Sequence, residues 1–227
     1  MNIAENYTRI RKEIPDYVTI VAACKTRNAD EVLKVIEAGV TDIGENYVQE
    51  AQDMYQQLGE KVTKVKWHMI GHLQGNKINK VLPVIDVIQT VDSLKLAEGI
   101  NARVEKAGKD IISVYVEINS GREPQKSGVV PENAEELVKQ ISSLEHIKIE
   151  GIMTMGPRFG NPEDARPFFR ETKKVFDNLK SLDLPNLDLK VLSMGMTNSY
   201  KAAIEEGSNM VRLGTIIFGQ RESCLAG

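Results

Sequence analysis

Short apolar segments recur along the chain, each followed by a polar or glycine-containing break and then by a segment of helical character. Several of these segments are almost continuous in apolar and β-branched residues, which is typical of strands buried on both faces. Eight such segments are present, and each is predicted to form one β-strand. They cover residues 18–25, 41–46, 66–71, 86–92, 112–119, 148–155, 189–196 and 210–219.

Helical patterns occupy the intervals between the predicted strands. One helix begins near Asp30 and ends at Gly39, a residue type that tolerates the backbone angles of a helix end. Ser93 is placed to cap the start of another helix, which stops at Gly108. Further helices are predicted at 2–13, 131–144 and 163–181.

The alternation of eight strands with helices predicts a parallel α/β sheet with right-handed crossover connections. The preferred arrangement is one domain over residues 1–227, a closed (β/α)8 TIM barrel, whose typical length is about 250 residues. The predicted helix at 2–13 precedes the first strand and is expected to complete the outer ring of helices. An open, doubly wound sheet is the alternative, but no GxGxxG loop follows the first strand.

Composition and charge narrow the classes of function. A net charge of −3 provides no basic field, so nucleic acid is not an expected partner. No apolar run approaches the roughly 18 residues of a membrane span, and the amino terminus lacks a secretion signal. Cys24 and Cys224 do not make a disulfide framework, which favours a reducing cytoplasm. His68 and His72 flank a strand end without an HExxH helix, so no metal site is predicted.

In a barrel of this kind the active site lies at the carboxyl ends of the strands. Lys25 ends the first apolar segment, and alternation places it on the face of Val21 and Ala23, with Cys24 opposite. If that face is the lumen, desolvation favours the neutral amine, which attacks an aldehyde to form an imine. The alternative is a lysine that ends the strand in solvent. The other residues at predicted strand ends are Glu45, Asn46, Gly71, His72, Asp92, Asn119, Met155, Ser193 to Met196, Gly214 and Thr215.

Glycine-containing loops after the seventh and eighth predicted strands are candidate phosphate sites. Gly195 lies in SMGMTNS and Gly214 in RLGT, and barrel enzymes often hold phosphate with these two loops. Glycine allows backbone N–H groups to approach phosphate oxygens closely, and Ser193, Thr197 and Thr215 add hydroxyl groups. The alternative is that both glycines serve close packing of strand against helix.

Arg212 lies two residues before Gly214 and therefore on the same face of the eighth strand. A buried guanidinium group needs an acceptor, and the alternatives are a pyridine nitrogen or an acidic partner such as Glu45 or Asp92. The charged segment 117–128 after the fifth strand either covers the mouth of the barrel or is an ordinary solvated loop.

Seven sequence blocks, spread over nearly the whole chain, carry a resemblance to a known family. They are AACKT at 22–26, DIGENYVQE at 42–50, WHMIGHLQGNK at 67–77, EINSGREPQKSG at 117–128, GIMTM at 151–155, SMGMTNSYKAAI at 193–204 and VRLGTIIFG at 211–219. Through these blocks the chain resembles the YggS/PROSC-type pyridoxal 5′-phosphate (PLP) homeostasis proteins. Proteins of that family share the barrel of the alanine racemase N-terminal domain.

The resemblance implies that Lys25 holds PLP as an imine, that Arg212 faces the ring nitrogen, and that the two glycine-containing loops contact the phosphate. The complete set of predicted cofactor-binding residues is Lys25, Asn46, Ser193, Gly195, Met196, Thr197, Arg212, Gly214 and Thr215. The family usually has Ser where this chain has Thr197, and Asp where it has Ser199. Thr197 keeps the hydroxyl group, and Ser199 is expected to replace the lost helix cap in part.

Two features favour a carrier of PLP over an enzyme. Arg212 would leave the ring nitrogen unprotonated, which weakens the electron sink that PLP catalysis requires. A racemase also needs a second acid/base opposite the lysine. In alanine racemase, whose barrel the family shares, that group is a tyrosine from a second domain of the partner subunit. This chain ends at Gly227, and neither Tyr47 nor Tyr200 lies in a racemase-like context. We therefore expect a monomeric PLP homeostasis protein without dedicated turnover, which delivers PLP to PLP-dependent apo-enzymes.

Two alternatives stay open. One is a PLP-dependent amino-acid racemase or a related PLP enzyme, in which Lys25 would be catalytic. The other keeps the phosphate loops but replaces PLP with a different phosphorylated ligand, and it predicts a colourless protein.

Overall fold

The computed structural model describes residues 2–156 and 160–220, and within them eight parallel strands close into one barrel in chain order. The strands are β1 (Thr19–Ala23), β2 (Asp42–Glu45), β3 (Lys66–Met69), β4 (Val87–Val91), β5 (Ile112–Glu117), β6 (Ile147–Thr154), β7 (Leu187–Met196) and β8 (Met210–Leu213). Each lies within or close to one of the predicted apolar segments. The predicted (β/α)8 barrel is confirmed, and Cys224 lies outside the described residues.

The last apolar segment, 210–219, does not form a strand over its whole length. Strand β8 ends at Leu213, and Gly214 adopts φ −113° and ψ −83°. The chain then forms a short helix, α9 (Thr215–Phe218). An apolar run of this length does not by itself distinguish a buried strand from a buried helical turn. The prediction of a continuous strand there is wrong, and Thr215 starts a helix instead.

Helices alternate with the strands around the barrel. They are α1 (Ile3–Glu13), α2 (Ala29–Glu37), α3 (Val48–Leu58), α4 (Ile78–Val81), α5 (Leu94–Lys106), α6 (Ala134–Ser142), α7 (Arg166–Lys180), α8 (Tyr200–Glu205) and α9. Short 3-10 turns cover Gly59–Lys64, Gly75–Lys77, Pro131–Asn133 and Pro162–Ala165. Within residues 2–156 and 160–220, no helix has the length and apolar character needed to cross a membrane.

Local sequence explains where several helices begin and end. The side chain of Asn28 accepts the N–H of Glu31 at 2.9 Å, and the carboxylate of Glu31 accepts the N–H of Asn28 at 3.0 Å, which forms a capping box. Gly39 follows helix α2 with φ 99°, a conformation that favours glycine. Ser93 Oγ accepts the N–H of Leu96 at 3.4 Å at the start of α5, as predicted.

Helix α1 completes the ring of helices. Its Asn6 Nδ2 donates to the carbonyl of Ile217 in α9 at 3.0 Å, and its Tyr7 hydroxyl donates to the carbonyl of Gly39 after α2 at 3.3 Å. The helix therefore lies between the last and the first helix of the barrel. The predicted place of the segment 2–13 is confirmed.

Two apolar layers lie on opposite sides of the barrel wall. The lumen contains a small cluster of Val21, Val87, Tyr115, Met153 and Met210. The larger layer fills the space between strands and helices, and it includes Ile20, Ala22 and Cys24. Strand β1 therefore alternates as predicted, with Val21 facing inward and Cys24 outward. Burial raises the pKa of the Cys24 thiol well above its ordinary value, which is consistent with a packing role.

Candidate functional site

Lys25 stands on a tight turn directly after β1. Thr26 has φ 63°, a left-handed conformation that β-branched residues rarely adopt. The N–H of Thr26 donates to Glu50 Oε2 at 2.8 Å, and the N–H of Arg27 donates to the carbonyl of Cys24 at 2.9 Å. Strain of this kind costs about 1–3 kcal/mol and persists only where neighbouring contacts impose it. The position of Lys25 is therefore fixed by its surroundings and does not depend on a mobile loop end.

A cavity of about 470 Å³ opens at the carboxyl end of the barrel around this turn. We call it the lysine cavity. Its lining consists of Ala23, Lys25, Arg27, Asn46, Ile70, Met155, Met196, Thr197, Asn198, Arg212, Gly214 and Thr215. It includes seven of the nine predicted cofactor-binding residues. The lining, as far as residues 2–156 and 160–220 form it, has three cations and no acidic residue, so the cavity favours an anionic ligand.

The other two predicted residues, Ser193 and Gly195, are absent from that lining. Ser193 is fully buried, and its Oγ accepts from Arg212 Nη1 at 2.7 Å and donates to Gln89 Oε1 at 2.8 Å. Gly195 has φ 96°, and a Cβ added there would lie 2.6 Å from Ala203 Cβ in helix α8. Gly195 therefore allows close packing of α8 on β7, which is the alternative considered from sequence.

Gly214 differs from Gly195 both in its backbone conformation and in the space around it. Its φ is negative, and a Cβ added there would meet no atom closer than 3.5 Å, the carbonyl oxygen of Ala23. The protein fold does not require a glycine at this point of the cavity wall. A ligand that approaches the backbone closely would require one.

Alanine substitutions at Gly195 and Gly214 are expected to differ in how much they lower the free energy of unfolding. Gly195→Ala should lower the free energy of unfolding by about 2–4 kcal/mol, because it combines an unfavourable left-handed conformation with overpacking against α8. Gly214→Ala should cost less than about 1 kcal/mol. Urea denaturation of both variants measures the difference. Equal losses of stability would contradict the assignment of Gly195 to packing.

A chain of hydrogen bonds crosses the lumen below the lysine cavity. Arg212 donates to Ser193 Oγ, which donates to the carbonyl oxygen of the Gln89 side chain. Gln89 Nε2 lies 2.9 Å from His68 Nδ1, and His68 Nε2 lies 2.8 Å from Asp42 Oδ1. With the amide donating to Nδ1, His68 carries its proton on Nε2 and donates to Asp42. Each group in this chain thus donates to the next, from β8 through β7, β4 and β3 to β2.

Burial raises the pKa of Asp42, but hydrogen bonds from His68 and Thr41 outweigh that effect and hold it below its ordinary value. The carboxylate therefore remains a charged acceptor at the far end of the chain. In these contacts, both ring nitrogens of His68 face hydrogen-bonding partners, Asp42 and Gln89, in the lumen. In the described part of the chain, no three His, Cys, Asp or Glu side chains form a group that could hold a metal ion.

Neutral acceptors hold Arg212 in the lumen wall. Nη1 donates to the carbonyl and Oγ of Ser193 at 2.9 and 2.7 Å, and Nη2 donates to the carbonyl of Thr154 at 2.8 Å. Burial lowers the pKa of Arg212 to about 10, and the charge of Glu117 opposes that shift. An acidic partner such as Glu45 or Asp92 was one of the two alternatives considered from sequence, and the structure pairs neither residue with Arg212. Barrel closure instead brings carbonyl groups of the neighbouring strands to the guanidinium group.

Glu45 points away from the lumen. Ile43, two residues earlier on β2, packs between strands and helices, so Glu45 faces the same layer. Both carboxylate oxygens are buried without a hydrogen-bond partner among the described residues. Burial raises the pKa of Glu45 to about 8, and the charge of Glu50 adds to the shift. Glu45 is not among the residues that line the lysine cavity and is not a candidate ligand there.

The Glu45→Gln variant is expected to gain stability relative to wild type as pH rises. The folded protein keeps the proton on Glu45 to a higher pH than the unfolded chain, so ionisation between about pH 4.5 and pH 8 destabilises the fold. Gln has no such ionisation. The difference in unfolding free energy should move by about 4–5 kcal/mol in favour of the variant between acidic and alkaline buffer. Urea denaturation in both buffers tests this, and a constant difference would contradict it.

A second cavity, of about 360 Å³, lies beside the first. We call it the loop chamber, because the segment after β5 forms much of its wall. Its lining consists of Asn46, Ile70, Gly71, His72, Thr90, Glu117, Ile118, Asn119, Ser120, Gly121, Glu123, Lys126, Ser127, Thr154, Met155, Gly156 and Met196. Asn46, Ile70, Met155 and Met196 also line the lysine cavity, so the two cavities adjoin along this wall.

Specific contacts hold the loop over the chamber. Asn119 Nδ2 donates to the carbonyl of Glu123 at 3.0 Å, and Ser127 Oγ lies 3.1 Å from His72 Nδ1 on the opposite wall. Arg122, with φ 49°, forms ion pairs with Glu132 and Glu171 outside the chamber. The segment 117–128 therefore covers part of the barrel mouth, which resolves the two alternatives considered from sequence.

Sequence reasoning missed Arg27 and misjudged Ser199. Arg27 lines the lysine cavity, donates to the carbonyl of Gly219 at 2.6 Å and lies over the ring of Phe218 at 5.4 Å. Its position two residues after Lys25 was the available signal. Ser199 precedes helix α8 but makes no side-chain cap there. Its hydroxyl instead accepts the N–H of Met196 at 3.3 Å, so the predicted capping role is wrong.

Comparison with known proteins gives a consistent result over nearly the whole chain. The family pattern described as "Alanine racemase, N-terminal domain" matches residues 1–222. The pyridoxal phosphate homeostasis protein of Haemophilus influenzae is 36% identical over 231 aligned positions, which cover 97% of this chain and 97% of that protein.

Solved structures show the same barrel. PipY of Synechococcus elongatus, with PLP bound, superimposes with a TM-score of 0.86 at 29% identity, covering 96% of this chain and 100% of that chain. An alanine racemase of Clostridium difficile superimposes with a TM-score of 0.77 at 20% identity. That match covers 98% of this chain and 57% of the racemase chain, and it shows the shared fold.

Proposed function

Because the chain belongs to the alanine racemase N-terminal domain family, we propose that it is a PLP-binding protein of PLP homeostasis that holds the cofactor through an imine with Lys25. One observation carries the proposal. Lys25, Arg212 and Gly214 meet in a single cavity, and the described residues that line it include three cations and no acidic residue. PLP combines an aldehyde, a phosphate and a pyridine nitrogen, and the cavity offers a group for each.

The residues of the lysine cavity fit the parts of PLP. The space beside Gly214 and the hydroxyl groups of Thr197 and Thr215 suit the phosphate, and Arg27 adds a positive charge to the same cavity. Arg212 is proposed to face the ring nitrogen. Asn46 and Met196 form the wall shared with the loop chamber. We assign Ser193 to the positioning of Arg212 and Gly195 to the packing of α8, and neither to direct contact with the cofactor.

Arg212 also determines what chemistry the bound cofactor supports. PLP supplies an electron sink whose strength depends on protonation of its ring nitrogen, and enzymes that need a strong sink place Asp or Glu there. The pKa of Arg212 is about 10 in this setting, so the side chain is a cation at neutral pH and donates rather than accepts. Ser193 and Thr154 hold it as a fixed donor. The site therefore favours retention of PLP over sustained carbanion chemistry.

The proposal extends to the physiological role. The whole chain, 1–227, is proposed to act as one monomeric domain in the cytoplasm, which keeps free PLP low and passes it to apo-enzymes. The pyridoxal phosphate homeostasis protein of Haemophilus influenzae, which matches over 97% of both chains, supports this role by similarity. The proposed recipients are the class of enzymes that require PLP.

Turnover distinguishes this proposal from a PLP-dependent racemase. Exchange of the Cα proton of several amino acids with deuterated solvent is measured by NMR for the PLP-loaded wild type and for Lys25→Ala. A carrier should show no exchange at enzymatic rates in either protein. Rapid exchange that depends on Lys25 would replace the carrier proposal with an enzymatic one.

A further inference from the structure

Glu117 has no task in the proposed PLP site. It is the last residue of β5, it is 6% exposed, and its Oε2 has no hydrogen-bond partner in residues 2–156 and 160–220. Its neighbours Val116 and Ile118 pack between strands and helices, so Glu117 faces the inside of the barrel mouth and lines the loop chamber. A buried polar atom without a partner is costly, which makes this oxygen an acceptor available to a ligand.

The two adjoining cavities differ in charge. The described lining residues of the lysine cavity include three cations and no acid, which suits an anion such as the phosphate of PLP. The loop chamber contains Glu117 beside the neutral polar side chains of Thr90, Asn119 and Ser120. Its lysine, Lys126, already forms an ion pair with Glu123 at 2.5 Å. Among the described lining residues, the carboxylate of Glu117 is therefore the unpaired charge that an entering ligand would meet.

We propose that the loop chamber binds a small organic molecule through a primary ammonium group, with Glu117 as its ion-pair partner. An ammonium group carries three donors, which match one carboxylate oxygen and neighbouring neutral acceptors. The volume of about 360 Å³ lies near the lower limit of ligand pockets and restricts the molecule to a small one. A metal ion fits poorly, since the described residues contain no group of three potential ligand side chains.

The charge state of Glu117 links ligand binding to pH. Burial raises the pKa of Glu117 to about 7, Asp92 raises it further, and Arg212 opposes both. In the described part of the chamber walls, the other charged or titratable groups are His72, Glu123 and Lys126. A cation binds the ionised carboxylate, so its binding releases a proton from the fraction of molecules in which Glu117 is protonated. Affinity for an ammonium ligand should therefore increase as pH rises through neutrality.

The test uses the full-length, PLP-free protein and ethylammonium chloride as the probe, with ethanol as an uncharged probe of the same size. Binding is followed by NMR through the backbone amide signals of Ser120 and Gly121. Wild type should show saturable shifts with ethylammonium and none with ethanol. Glu117→Gln should bind at least about tenfold more weakly, as expected for loss of one charge-assisted hydrogen bond. Glu45→Gln is the matched control, because it also alters a buried, unpartnered carboxylate but lies outside the chamber.

Three outcomes would overturn the proposal. These are the absence of saturable shifts in wild type, equal affinity in wild type and Glu117→Gln, and equal loss in Glu45→Gln. If Glu117→Gln does not fold, a pH series on wild type decides, and an affinity that does not increase with pH is the contradicting result. Because the assay contains no PLP, it does not depend on the imine with Lys25. If Lys25→Ala still binds ethylammonium, binding in the loop chamber does not require the lysine that is proposed to hold PLP, and the two proposals stand or fall independently.

Discussion

Lys25→Ala is expected to abolish retention of PLP. The variant keeps the cavity and its other contacts but lacks the amine that forms the imine, so retention after gel filtration should fall at least about a hundredfold. The visible absorbance of the imine should be lost with it. Lys25→Arg is the matched control, since it keeps a positive charge but cannot form an imine.

The two variants separate covalent from electrostatic binding. If Lys25→Arg loses PLP as completely as Lys25→Ala, the imine is the source of retention. Retention by Lys25→Arg at the wild-type level would mean that charge alone holds the ligand. That result would favour a different phosphorylated ligand in the same cavity.

Arg212→Met is expected to be the most destabilising of the single substitutions considered. The change leaves Ser193 Oγ and the carbonyl of Thr154 without their buried donors, and it removes the charge that lowers the pKa of Glu117. Breaking a buried charged network of this kind typically costs about 3–5 kcal/mol. Urea denaturation of the PLP-free protein measures the loss directly.

A second substitution at the same position shows which property of Arg212 matters. Arg212→Lys keeps the charge but cannot donate at once to Ser193 and Thr154 with the geometry of the guanidinium group. Its stability should fall between wild type and Arg212→Met. A loss of less than about 1 kcal/mol in Arg212→Met would show that the chain of hydrogen bonds across the lumen contributes little.

The barrel and the position of Lys25 could be predicted from sequence because both rest on short-range periodicity. Eight apolar segments gave the strand number, and period-2 alternation placed Val21 inward and Cys24 outward. The same logic placed Arg212 and Gly214 on one face, and both line the lysine cavity. Local patterns were sufficient for these features because they depend on the course of a single strand.

Contacts that depend on several strands could not be predicted in the same way. The acceptors of Arg212 are Ser193 and Thr154, which are brought to it by the register of β6, β7 and β8 in the closed barrel. Gly195 had the same sequence signal as Gly214, and only the position of α8 distinguishes their roles. Glu117 became a candidate ligand residue only through the path of the loop after β5.

Borohydride reduction tests the central claim most directly. The purified PLP-loaded protein is reduced, digested and analysed by mass spectrometry to locate the modified lysine. One pyridoxyl-phosphate adduct per chain is expected, on the peptide that contains Lys25. An adduct on a different lysine, or no adduct in a protein that carries PLP, would contradict it.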